Sequence, residues 1–183
     1  RRYGGRAALV VFWRIGRVSY RVWQAINGDG GLGMSVIFGA QRLEQLVWRV
    51  SDLELDKSDL QQLSDLVSDK LHDLLLTGVR HAGYNNRDLI MEPDLPLTKG
   101  LRESMQDFQL YEEELEIEPV LEPMATYPQL AREPSQEVID LLPELVGTLI
   151  MVTAQLMTVV DPGISNPDSE TWDRVTETMD LLI

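Results

Sequence analysis

Arg87 and Asp94 are the residues whose types and spacing most clearly specify a chemical task. Between them runs a short apolar segment, Leu89-Ile90-Met91, entered from His81-Ala82-Gly83 and left through Glu92-Pro93-Asp94. Arginine offers a planar fork of donors and aspartate two acceptor oxygens, so a bidentate pair would hold this loop closed. Asp94 also stands where a carboxylate caps a helix starting just before Leu95-Pro96. The competing reading is a generic surface ion pair, worth about 0–1 kcal/mol.

Little else suggests reactive chemistry. His72 lies near Asp69 and Asp73, but dispersed carboxylates on a helix surface explain that grouping without a metal ligand set. His81, beside Arg80, falls at a helix C-terminus, where a cation is favoured by the dipole. Its two readings are helix capping and contact with a phosphate. The chain has no cysteine, which excludes disulfides and thiolate chemistry and fits a cytoplasmic location. It shows no Gly-rich phosphate loop, nucleophile motif or paired-carboxylate spacing. The expectation is a non-enzymatic protein with no catalytic residues, no cofactor and no metal.

The net charge of −14 is unevenly distributed. Residues 1–33 carry six arginines and one aspartate, residues 34–102 eight basic and 11 acidic groups, and residues 103–183 two basic and 18 acidic groups. The last third repels polyanions, so a DNA surface would have to lie on the middle third. Its candidate contacts are Lys57, Arg80, Arg87, Lys99 and Arg102.

Residues 1–33 do not match the rest of the chain. They are basic and Gly-rich at both ends, and their apolar stretch from Ala7 to Trp13 is too short to span a membrane. One reading is a basic amphipathic membrane anchor or targeting segment. The preferred reading is an over-extended gene start, with translation beginning at Met34, just after Asp29-Gly30-Gly31. No membrane association is expected of the remainder.

From Met34 the chain reads as helices. Val36, Phe38, Leu43, Leu46, Val47 and Val50 form a short first helix, and Ser51 to Asp56 a loop. Ser58 and Gln61 fit a capping box for a long second helix, striped by Leu60, Leu63, Val67, Leu71 and Leu74 and stopped by Gly83. A third helix is predicted from about Leu95 to Phe108. An acidic bridge, Glu112 to Glu118, leads to a second set. It has a short helix within Pro119 to Tyr127, a loop at Pro128 to Pro134, a long helix capped by Ser135 and ending at Val160, a loop from Asp161 to Pro167, and a helix from Ser169 to Leu182. The second long helix is apolar nearly all round, as expected of one buried on several sides, and Pro143 should kink it. Trp48 and Trp172, on the outer helices, are expected core anchors, with an exposed patch as the alternative. The acidic bridge reads as a solvated connection, with mimicry of nucleic acid or attraction of a basic partner as the alternatives.

Asp56-Lys57-Ser58-Asp59, Tyr84-Asn85-Asn86-Arg87-Asp88, Glu92-Pro93-Asp94-Leu95-Pro96 and Leu141-Leu142-Pro143-Glu144-Leu145 carry a family resemblance. The chain resembles, over nearly all of residues 34–183, a bacterial family of one-chain double histone folds regarded as a domain of unknown function. The resemblance implies an all-α fold of two tandem histone folds, residues 34–110 and 111–183, joined as an intramolecular pseudodimer around one core. Residues 77–101 are also similar to archaeal histones, whose second loop reads Ala-Gly-Arg-Lys-Thr and ends in an arginine-to-aspartate clamp; Arg87 and Asp94 carry that clamp over. Asp88, Leu89 and Met91 replace the lysine, threonine and later lysine of that loop, and residues 52–56 are acidic where a phosphate-facing loop is basic. The second half, at Gly163-Ile164-Ser165-Asn166, has no clamp arginine. The function expected is an interaction or assembly module with an unidentified protein partner; the alternative is a nucleoid-associated protein that binds DNA weakly and salt-sensitively. No small-molecule substrate is expected.

Overall fold

The computed structural model describes residues 33–183, and the readings of the basic segment before them lie outside the described residues. Seven elements dominate: α1 (Gly33–Ser51), α2 (Lys57–Tyr84), β1 (Leu89–Ile90), α3 (Lys99–Leu115), β2 (Glu133–Pro134), α5 (Gln136–Val160) and α6 (Ser169–Leu182), with a single turn α4 (Glu118–Leu121) and a 3-10 turn at Glu92–Asp94 between them. The described chain is therefore all-α apart from one two-residue pairing.

Local chemistry sets the boundaries and corrects several expectations. The capping box of α2 is Asp56 with Asp59, not Ser58 with Gln61. The Asp56 carboxylate accepts from the Ser58 and Asp59 amides at 2.7 and 2.9 Å, and Asp59 accepts from the Asp56 amide at 2.9 Å. A carboxylate is the stronger cap because its charge also meets the helix dipole. At the other end α2 passes Gly83 and stops after Tyr84, because Asn86 adopts the left-handed conformation (φ 51°) that Gly83 was expected to supply. α3 starts at Lys99, four residues later than expected. Thr98 caps it, accepting from the Leu101 amide at 3.2 Å, and Glu92-Pro93-Asp94 is only a 3-10 turn. α3 then runs on to Leu115, making half of the expected acidic bridge helical. The helix expected within Pro119 to Tyr127 is a single turn, since Pro123 has no amide to offer the Pro119 carbonyl. Ser135 caps α5 as its sequence implies, and the helix continues through Pro143 to Val160.

The apolar stripe of α2 becomes core: Leu63, Val67, Leu71 and Leu74 are buried. α5 is the hub, packing against α1, α2, α3, α4 and α6. By length and composition it could cross a membrane, but more than half of its most apolar stretch is buried inside the fold. One contiguous core runs from Leu43 to Met179 and takes residues from every long helix. Its tightest approach is between α3 and α5. A Cβ on Gly147 would stand 2.1 Å from Cζ of Phe108, so the ring needs bare backbone there.

The loops are joined across the molecule. β1, in the loop after α2, pairs in parallel with β2, in the loop before α5, with Leu89 opposite Glu133 and Ile90 opposite Pro134. The Ser135 amide extends this ladder by donating to the Ile90 carbonyl at 2.8 Å. At the opposite end the Glu54 amide, in the loop before α2, donates to the Ser165 carbonyl, in the loop after α5, at 2.8 Å.

Candidate functional site

Arg87 and Asp94 meet as the spacing implies: an Arg87 Nη2 donor engages Asp94 Oδ1, and the aspartate is buried at 1% exposure. The contact is single, not bidentate. The second carboxylate oxygen, Oδ2, accepts from the Met91 amide at 2.9 Å, which holds the 3-10 turn in place. His81 Nδ1 lies 2.7 Å from the Asp94 carbonyl, tying the last turn of α2 to the same residue. A carbonyl accepts, so the proton of this bond sits on Nδ1. Arg87 Nε is buried with no hydrogen-bond partner among the described residues.

Arg132 completes the assembly. Its Nε donates to the Arg87 carbonyl at 2.8 Å, and its guanidinium covers Gly83, where a Cβ would lie 3.4 Å from it. Arg132 is not predicted by the clamp spacing, although it is one of only two basic residues in 103–183. An isolated cation in an acidic segment was the signal.

The five cations proposed to meet DNA do not form one patch. Arg102 pairs with Glu92 at 2.9 Å, Lys99 with Glu103 at 3.4 Å, and Arg87 with Asp94. Arg80, exposed, donates to the Thr77 hydroxyl at 2.9 Å. Lys57 opens α2 while Arg80 lies near its close, about 35 Å away along the helix at 1.5 Å per residue. Arg87 and Arg132 meet at the β1–β2 end, and Arg80 lies on the turns of α2 that lead to it, whereas Lys57 opens α2 at the other end, just after Asp52, Glu54 and Asp56.

Two buried polar contacts hold α6 to α2. Trp172 Nε1 donates to Asp59 Oδ1 at 2.9 Å, and the buried ammonium of Lys70 is shared by Asp73, at 3.1 Å, and Asp180. Burial alone would lower the Lys70 pKa, but its hydrogen bonds to Asp180 and Asp73 outweigh that and leave it raised. Lys70 stands three residues after Val67 and four before Leu74, in the register of the apolar stripe, and that register was its sequence signal.

The acidic run is partly paired internally. Glu114 accepts from Arg49 at 2.9 Å, and Arg42 meets both the side chain and the carbonyl of Glu116. Glu112 is raised by partial burial and by the charges of Glu144, Glu118 and Glu113. Glu144 is raised by burial and by Glu92, against a hydrogen bond from Gln109 that lowers it. The expected roles of the two tryptophans divide: Trp172 is a core anchor at 5% exposure, whereas Trp48 is 53% exposed. Trp48 faces out because Leu43, Leu46 and Val47 already take the buried positions of α1. Among the described residues, no group of three or more histidines, cysteines or carboxylates is placed to hold a metal ion.

Known proteins share this architecture. A crystal structure of a Thermus thermophilus protein is 41% identical, with a TM-score of 0.70 over 79% of this chain and 97% of that one. A crystal structure of an Aquifex aeolicus protein is 23% identical, also with a TM-score of 0.70, over 79% of this chain and 95% of that one, a likeness of fold. Over 144 residues the chain is 23% identical to an Aquifex aeolicus (strain VF5) protein named "Uncharacterized protein", covering 79% of this chain and 84% of the relative. Residues 43–180 match the family described as "Domain of unknown function (DUF1931)", and the chain belongs to that family.

Proposed function

We propose that this chain is two histone folds in one polypeptide, closed on each other as an intramolecular handshake, and that it works as a non-enzymatic interaction or assembly module. The carrying observation is the reciprocal exchange between loops. The loop after the first long helix pairs with the loop before the second through β1 and β2, and the loop before the first meets the loop after the second through Glu54 and Ser165. Such an exchange is the arrangement that two crossed helix–loop–long helix–loop–helix units make. The second unit supplies the apolar cover that a lone long helix lacks, here with α5 packed against α1, α2 and α3. The symmetry is imperfect: one end has the Arg87–Asp94 clamp and Arg132, the other the Glu54–Ser165 backbone bond.

The test is to produce residues 34–110 and 111–183 separately and mixed. The proposal expects each alone to have low helicity and the mixture to recover it, with a 1:1 complex. Two separately stable, non-associating halves would rule it out.

A second reading, contact with DNA through the first half, is favoured by Arg87, which meets Arg132 of the second half beside the β1–β2 pairing, and by exposed Arg80 near the end of α2 that leads there. Asp88, Glu92 and Glu133 in the same segments work against it.

A further inference from the structure

The end of the molecule opposite the clamp carries an exposed aromatic that the fold does not use. Trp48, on the last turns of α1, borders an open groove of about 480 Å3 with Leu53 and Leu55, ringed by Gln45, Glu44 and Glu54. Leu53 is buried and supplies an apolar floor, while Glu44 and Glu54 are exposed. Among the described residues no cation lines the groove: neighbouring Arg49 is drawn off to Glu114. The groove also lies at the C-terminal end of α1, whose dipole presents partial negative charge. Asp52 adds a further carboxylate there; it takes a left-handed conformation (φ 55°) as its amide donates to the Trp48 carbonyl at 2.8 Å.

An indole face, an apolar floor and carboxylates on the rim together match one kind of side chain. A guanidinium lies over tryptophan by cation–π attraction, its aliphatic stem covers apolar surface, and its donors reach carboxylates. An anion would be repelled, and a purely apolar partner would leave Glu44 and Glu54 desolvated without partners. The geometry points to this groove as the docking site for an arginine-bearing segment of a separate protein, with an arginine seated on Trp48 between Glu44 and Glu54. It names the partner class for the interaction module proposed above and rests on that reading. The two can fail separately, because the halves experiment tests the shared core and the experiment below uses the full chain.

The probe is the peptide acetyl-Gly-Arg-Gly-Arg-Gly-amide, titrated into the full chain and each variant by calorimetry, while in the parent the Trp48 indole N–H resonance is followed by NMR. The indole signal is expected to move saturably. Trp48→Ala should weaken binding about threefold or more, in line with an exposed cation–π contact. The pair Glu44→Gln and Glu54→Gln should do the same, without a change in thermal midpoint. Substituting the remote exposed carboxylates Glu137→Gln and Glu177→Gln should leave affinity unchanged. Equal weakening by the remote pair would reduce the effect to diffuse attraction and overturn the site. So would an affinity indifferent to Trp48. A Trp48 signal that shifts with protein concentration alone would assign the groove to a second copy, and one shielded from a soluble paramagnetic probe in the free chain would assign it to residues 1–32. Either result overturns the separate partner.

Discussion

Trp172 reaches across from the last helix to Asp59 in the first turn of α2, donating its indole N–H at 2.9 Å to a carboxylate that is itself buried. The bond links the first turn of α2 to α6, 113 residues later in the chain. It also engages Asp59 twice, since the same carboxylate closes the capping box of α2 by accepting the Asp56 amide. Trp172→Phe keeps most of the packing but leaves Asp59 Oδ1 without its donor. The expected cost is about 1–3 kcal/mol in urea unfolding, as for any buried acceptor left unsatisfied. Trp48→Phe, on the exposed face of α1, should stay within about 0.5 kcal/mol of the parent. Equal effects would mean that the buried bond contributes nothing beyond area.

The Arg87–Asp94 pair should exceed an ordinary surface ion pair because Asp94 is buried. Arg87 is itself 39% exposed, so solvent screens part of the interaction. Arg87→Ala is therefore expected to cost about 1–2 kcal/mol, and Asp94→Ala more, because it also strips the Met91 amide of its acceptor. A double-mutant cycle should give a coupling above about 0.5 kcal/mol. No coupling would remove the clamp from the account of the loop.

The clamp, the two long helices and the Ser135 cap were legible in the sequence because each rests on local spacing: seven residues of loop, a three-and-four stripe, a serine three residues before an amide that needs an acceptor. The element boundaries were less so. Asp56 takes the α2 cap because the helix starts at Lys57, one residue before Ser58, and Asn86, not Gly83, takes the left-handed position because α2 runs on through Tyr84. Contacts between residues distant in sequence were hidden. Nothing near Trp172 announces Asp59, and nothing near Arg42 and Arg49 announces Glu116 and Glu114. The outward turn of Trp48 followed from which face of α1 the other helices cover.

Stability should depend on pH through carboxylates that oppose one another in direction. Glu112 and Glu144 are raised in the folded state, and Asp69 likewise by burial and by Asp65 and Asp73. A raised carboxyl binds its proton more tightly when folded, so its contribution is fullest below the unfolded pKa and is lost as pH rises through the folded one. Asp56 and Asp168 are lowered, chiefly by the backbone amides they cap, so their contribution is present at neutral pH and lost as pH falls through their depressed values. Glu112→Gln with Glu144→Gln should therefore raise the thermal midpoint at pH 7. That gain should shrink as pH falls through the raised values toward the ordinary glutamate value of 4.5. A gain that is constant across this range would show that it arises from packing instead of ionisation.

DNA affinity separates the two functional readings. Of the five candidate cations, three already hold carboxylates, Arg87 with Asp94, Lys99 with Glu103 and Arg102 with Glu92, so each must break an ion pair to touch a phosphate. Lys57 lies too far from Arg80 to share a short site with it, and residues 103–183 add 18 acidic groups against two basic ones. Engaging even four phosphates would give a log–log salt slope of about −3.6. Weak binding at low salt should then vanish near physiological ionic strength, where screening over roughly 8 Å leaves only direct contacts. A chain of residues 34–183 is accordingly expected to show no duplex binding at physiological salt. Adding residues 1–33, with six arginines and one aspartate, should produce affinity that is independent of sequence. The measurement is a salt titration of both chains on duplex DNA. Submicromolar binding by residues 34–183 at physiological salt, lost on Arg80→Ala or Arg132→Ala, would make DNA the better-supported partner. Those two cations are the informative ones, because their guanidiniums hold a hydroxyl and a backbone carbonyl, which a phosphate can displace without breaking an ion pair.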